Sequence, residues 1–158
     1  MVLEWLAPLA ETAMARALIV SPTLYLLMNA AHILAIGMLF GSILALDLRL
    51  LGLGRALPLA PTANYLSRLS ATGLALAIIT GLCLFSVRPV EYATNIAFLS
   101  KLALVALGAA HALVLHRGIG WRRAITDGSV TTALRVSAFA SISIWTGAIV
   151  AGRWIGFL

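Results

Sequence analysis

Charge is scarce in this chain, and acid is scarcest. Its 158 residues hold five Asp and Glu against eleven Lys and Arg, and charged residues make up only 10% of the total. Hydrophobic residues make up 62%, and the mean hydropathy is +1.05. A soluble domain is nearer half apolar and a quarter charged. Too little polar surface is available to cover a water-soluble fold, so the surplus apolar area must face lipid. Cysteine is almost absent: Cys83 stands alone in an apolar run. That excludes a disulfide framework, a Cys-x-x-Cys redox pair and Cys-x-x-Cys-His haem attachment. There is no His-x-x-x-His, no carboxylate cluster, no phosphate-cradling glycine loop and no catalytic triad. The net charge of +6 does not point to nucleic acid, because no basic stripe with interleaved aromatics accompanies it. The N-terminus carries Glu4 and Glu11 and lacks a basic region before its apolar residues, so it does not read as a cleaved signal peptide.

What is present is length of apolar sequence. A hydrocarbon core takes about 20 residues of helix to cross, and four runs are long enough. They span roughly Pro22 to Leu46, Leu66 to Val87, Thr94 to Leu115 and Leu134 to Phe157. Proline and glycine mark the connections: Gly52, Gly54, Pro58 and Pro61, then Gly118, Gly120 and Gly128. The fold expected is all-α, a four-helix membrane bundle over residues 21–158. Residues 1–20 are too short and too charged to span, and read as an amphipathic helix lying in the interface.

Arginine sets the expected orientation. Arg49, Arg55, Arg68, Arg117, Arg122, Arg123 and Arg135 flank the first and third connections, while Arg16, Arg88 and Arg153 lie on the opposite side. Seven against three places the first and third connections in the cytoplasm and both termini outside. Small residues recur at helical spacing: Gly37 and Gly41; Gly73, Ala77 and Gly81; Gly152 and Gly156. Such stripes let helices approach closely, within one chain or between copies.

The residue that asks for explanation is Lys101. It lies in an apolar span with no carboxylate within nine residues on either side. An ammonium deep in a bilayer costs roughly 2.5–3.5 kcal/mol on insertion scales, which makes such a residue a functional-site hypothesis. With a rise of about 1.5 Å per residue, His32, Lys101 and Arg153 all fall in the outer half of the membrane, on three different helices. Asn29, one turn outward of His32, and Asn95 could add hydrogen bonds. The group is cationic, and Glu91 is the nearest carboxylate, within reach of Arg153 rather than Lys101. A buried cation without a protein partner must lose its charge, snorkel outward or meet an anionic ligand. Haem propionates or a quinone carbonyl would suit Lys101 and Arg153, with His32 as metal ligand or hydrogen-bond donor. The plainer alternatives are a snorkelling Lys101, a packed His32 bonded to a neighbouring helix, and Arg153 as an interface anchor beside Trp154. His111 lies more than about 10 Å deeper than His32, too far for a shared bis-histidine haem, so any iron on His32 would be five-coordinate or take a ligand from another chain. His116 reads as solvated, and Asp47 as an ion-pair partner of Arg49, Arg117 or Arg135.

Several motifs together resemble a family of small bacterial inner-membrane proteins grouped as a domain of unknown function. They are His32-Ile33-Leu34-Ala35-Ile36-Gly37, Leu46-Asp47-Leu48-Arg49-Leu50-Leu51-Gly52, Asn95-x-x-Phe98-x-x-Lys101, His116-Arg117 and Ala151-Gly152-Arg153-Trp154-Ile155. The resemblance covers nearly the whole chain and implies a bacterial plasma membrane, but no activity. A looser resemblance, on a histidine early in the first span and a lysine early in the third, is to four-span proteins of the copper-resistance D type and to small membrane protoporphyrinogen oxidases. The oxidases are haem b proteins, which implies His32 and Lys101 as haem-site residues. One expectation for function is therefore a redox protein that binds haem b and exchanges electrons with membrane quinone. The competing expectation is a non-catalytic subunit, oligomeric or packed by its small-residue stripes against a larger membrane complex.

Overall fold

The computed structural model describes residues 4–157, all its regular elements being helices. A 3-10 segment, Glu4–Glu11, leads into α1 (Ala13–Val20), which Thr12 caps by accepting the Ala15 N–H on its side chain. Leu3, included in the expected interfacial helix, lies outside the described residues. The N-terminal segment is therefore two short pieces, with Pro8 inside the first and Ser21 ending the second. Ser21 also caps α2 (Pro22–Leu51), whose first position is the proline that a helix start accommodates without loss.

α3 (Leu59–Phe85), α5 (Ile96–Arg117) and α7 (Thr132–Trp154) complete the four long helices. All four are long and apolar enough to cross a membrane. Two short helices break the connections: α4 (Pro89–Thr94) and α6 (Ile119–Asp127). A final 3-10 turn, Ile155–Phe157, follows α7.

The helix ends do not coincide with the ends of the apolar runs. α2 continues through Asp47-Leu48-Arg49 and stops only at Gly52, whose φ of 108° is left-handed backbone that glycine adopts without penalty. It can continue because Asp47 is turned inward and is only 4% exposed. No arginine pairs with it among the described residues, contrary to the expectation from sequence: Ser141 of α7 supplies its side-chain hydrogen bond, and Oδ2 has no partner. Arg49 instead donates through Nε and its guanidinium end to the Leu57 carbonyl.

α2 packs on α3 and on α7, and α5 packs on α7. α2 and α7 are the more buried pair, whereas α3 and α5 face largely outward. α3 and α5 meet through side chains: Phe85 stacks on Phe98 at 5.4 Å near one end, and Ser67 lies 3.1 Å from His116 Nε2 near the other. A cluster of buried apolar side chains sits at the α6 end. There Leu46, Leu50, Leu59, Ala63, Leu134 and Ala138 are closed over by Trp121 and Ala124 of α6. Burying that face is what holds a nine-residue amphipathic helix across the bundle.

Candidate functional site

The site lies towards the α4 end and draws on all four long helices. On α2, His32 reaches α3, where its Nδ1 lies 2.8 Å from Thr80 Oγ1. The hydroxyl of Thr80 has one proton, and it donates that to the Leu76 carbonyl at 2.7 Å. Thr80 must therefore accept, which makes His32 Nδ1 the N–H donor. The Ala77 carbonyl is also within reach of the ring. Nε2 is left with its lone pair, and no protein donor occupies it among the described residues. Gly81, next along α3, gives the ring its space. A Cβ there would meet His32 Cε1 at 3.1 Å.

Lys101 arrives from α5, diagonally opposite. Its aliphatic stem lies over Gly152 of α7, where an added Cβ would meet Cδ at 3.3 Å, Cε at 3.5 Å and Nζ at 3.7 Å. The side chain is half-buried, and the ammonium has no hydrogen-bond or ion-pair partner among the described residues. It is near enough to His32 for the two to repel when both are charged. His32 thus sits against Gly81 of α3 and Lys101 against Gly152 of α7, close enough to feel each other's charge. Gly81 and Gly152 seat polar side chains, whereas Gly73 lets α2 and α3 touch backbone to backbone.

The other expected members stand apart. Arg153 is exposed, its guanidinium 4.6 Å above the Phe157 ring, as an interface anchor would be. Asn29 is exposed and makes no hydrogen bond to His32. Asn95 is the N-cap of α5, its Oδ1 accepting the Ala97 and Phe98 N–H groups. Glu91 pairs with Arg88 at 3.3 Å on the surface.

An aromatic group separates the site from the α4 end. Phe98, one turn from Lys101, lies between Phe85 and Tyr92, the latter at 5.6 Å. The Tyr92 phenol is pushed up from its ordinary value, first by burial and then by the neighbouring Tyr25, so it stays protonated as a donor. Sequence reasoning missed Thr80 and Tyr92, and read Gly81 and Gly152 as helix-packing positions rather than as seats for polar side chains. A threonine beside a glycine inside the apolar run Ala77 to Leu84 was the available signal.

The remaining histidines also bridge helices through hydroxyls. Ser137 Oγ of α7 lies 2.8 Å from His111 Nε2. His116 is exposed, as expected, and is also bonded: Nδ1 donates to the Ala112 carbonyl at 2.7 Å, so Nε2 accepts from Ser67, and the ring packs 4.4 Å from Trp121. Such bonds are worth about 0.6 to 2 kcal/mol in a bilayer and fix the rotation of each helix about its axis. What distinguishes His32 is the free Nε2 with an unpartnered cation beside it. Among the described residues, no three His, Cys, Asp or Glu side chains gather into a metal-binding group.

No curated protein and no solved structure matches the chain, so the kinship with copper-resistance D proteins and protoporphyrinogen oxidases stays a resemblance. Residues 20–158, which take in all four long helices and both residues of the site, match the family of unknown function DUF6644, and the chain belongs to that family.

Proposed function

We propose that the protein binds haem b between its four long helices and exchanges electrons with membrane quinone. The observation that carries this reading is the uncommitted Nε2 of His32 beside the unpartnered ammonium of Lys101. The donor set fits the group. A haem-ligating histidine holds its second nitrogen as N–H to a neighbouring acceptor, and Thr80 does that here. Haem would supply one-electron chemistry. The chain's own part is to orient the imidazole, through Thr80 and the glycine at position 81, and to offer Lys101 to a propionate. The aromatic group of Phe85, Tyr92 and Phe98 would limit water from the α4 end. Arg153, stacked on Phe157, would need a different rotamer to join Lys101.

The full-length protein, purified in mild detergent and supplied with haemin, should show a Soret band. His32→Ala should abolish it while leaving the thermal unfolding transition in place, and Thr80→Val should weaken it by loosening the ring. A wild-type protein that stays colourless after haemin addition would refute the assignment.

The accessory-subunit reading has one observation in its favour. Gly37 and Gly41 are exposed, and a Cβ on either would meet nothing within 4 Å. That stripe is not used inside the bundle and is shaped for a helix of another chain. Colourless protein eluting with a larger complex, and released from it by Gly37→Ile/Gly41→Ile, is the result this reading expects.

On orientation, the arginine asymmetry favours a cytoplasmic α6 end in a bacterial plasma membrane. Alkaline phosphatase fused after the C-terminus should then be active. Activity of a cytoplasm-only reporter at that position would reverse the topology.

A further inference from the structure

The α6 end of the bundle carries a second feature, unrelated to His32. A cavity of about 210 Å³ opens there between the end of α2, the following turn and the start of α7. Three arginines line it, one from each segment: Arg49, Arg55 and Arg135, with Gly52, Gly128 and Val130 between them. No carboxylate is in its wall. Asp47, two residues before Arg49, is turned into the core towards Ser141. Among the described residues no ion pair reaches any of the three.

Two of the guanidinium groups are held in place by backbone carbonyls. Arg49 donates to Leu57 at 2.9 and 3.0 Å, and Arg55 donates through Nε to Gly52 at 3.2 Å. Each bond uses only part of a five-donor fork, and the remaining N–H groups are unspent. Arg135 makes no side-chain hydrogen bond among the described residues. The backbone is shaped to permit this approach. Gly52 and Gly128 have φ of 108° and 70°, and a Cβ on Gly52 would lie 2.9 Å from the Arg55 guanidinium.

Arginines needed only for topology would spread apart, since like charges repel and each is better solvated alone. Here three converge on one concave space at a helix end where a membrane surface would pass. Arginine forks match the geometry of a phosphate group, binding two oxygens at a time. A basic pocket between membrane helices is suited to a phospholipid headgroup. We propose that Arg49, Arg55 and Arg135 form a phosphate-binding site, filled either by the headgroup of an anionic phospholipid or by a soluble phosphate.

Full-length protein in nanodiscs of phosphatidylcholine with a minority of phosphatidylglycerol tests it, with the retained lipids counted by native mass spectrometry. Phosphatidylglycerol should be retained selectively. Arg135→Gln, which breaks no protein hydrogen bond, should weaken that retention about tenfold, the scale of one charge-assisted hydrogen bond. Arg123→Gln is the control, because it removes the same charge from the same end outside the cavity. Inorganic phosphate titrated into phosphatidylcholine-only discs and followed by phosphorus NMR separates the two sources. Saturable binding lost in Arg135→Gln assigns a soluble phosphate, whereas selective lipid retention without phosphate binding assigns the headgroup. Failure of both, or an equal loss in Arg123→Gln, overturns the site.

Discussion

Gly73→Ala should destabilise the bundle by about 1–3 kcal/mol, the usual cost of forcing an extra carbon into a filled contact. The new Cβ would lie 2.6 Å from the Leu39 nitrogen, 2.9 Å from its Cα and 3.1 Å from the Ala35 carbonyl oxygen. All three are backbone atoms of α2, so no side chain can rotate away and the helices must separate. In lipid no hydrophobic drive opposes that separation, and close packing carries the association. Gly37→Ala is the matched control, since its Cβ meets nothing within 4 Å. Thermal unfolding in detergent should drop clearly for the first and hardly move for the second. Equal transitions for both would mean that α2 and α3 do not cross at Gly73. The same separation would lengthen the His32–Thr80 bond, so under the haem proposal the variant should lose haem before it loses helix.

Lys101→Met should act in the opposite direction. Methionine keeps the unbranched stem that lies over Gly152 and removes an ammonium with no partner. Replacing a poorly compensated buried charge by an apolar side chain of similar volume is expected to stabilise by roughly 1–3 kcal/mol. Under the haem proposal, retention should fall in the same variant, because a propionate would lose its counter-charge. Stability gained with binding lost is the signature of a residue kept for a ligand. The measurement is a denaturation series on ligand-free wild type and variant, alongside the haem complement of each. If ligand-free Lys101→Met is the less stable of the two, the ammonium already has what it needs, and the site reading fails.

Hydropathy and length were enough to recognise four spanning helices in one bundle, and arginine and glycine marked where they connect. They misjudged helix ends where a helix runs on beyond its apolar stretch. Asp47 looked like the close of α2, yet the helix carries it inward and runs on to Leu51. Pro58 looked like part of a long loop, yet α3 begins at the next residue. The site was half legible for a related reason. Depth along a helix follows from counting residues, and counting put His32 and Lys101 at a similar level. Rotation about the helix axis does not follow, because each residue turns by about 100° and helices apolar on all sides show no preferred face. Gly152 faces Lys101, while Arg153, one step further round, lies out over Phe157. Thr80 was missed for the same reason: it stands beside a glycine in an apolar run, but nothing in α3 alone says which of its polar residues meets α2.

The seam between α3 and α5 bears on how anything arrives at His32. Elsewhere the bundle is closed by helices in direct contact, but here an aromatic pair near one end and a serine–histidine bond near the other bridge the gap. Turning a few side chains takes less free energy than parting two packed backbones, so this is the flank expected to open first. In a bilayer it would face the acyl chains. If His32 takes a ligand, one entering there would leave hydrocarbon instead of water and would need no channel through the protein. Its supply would then be governed by how strongly it partitions into lipid, and a bilayer-soluble molecule too dilute to measure in the aqueous phase could still saturate the site.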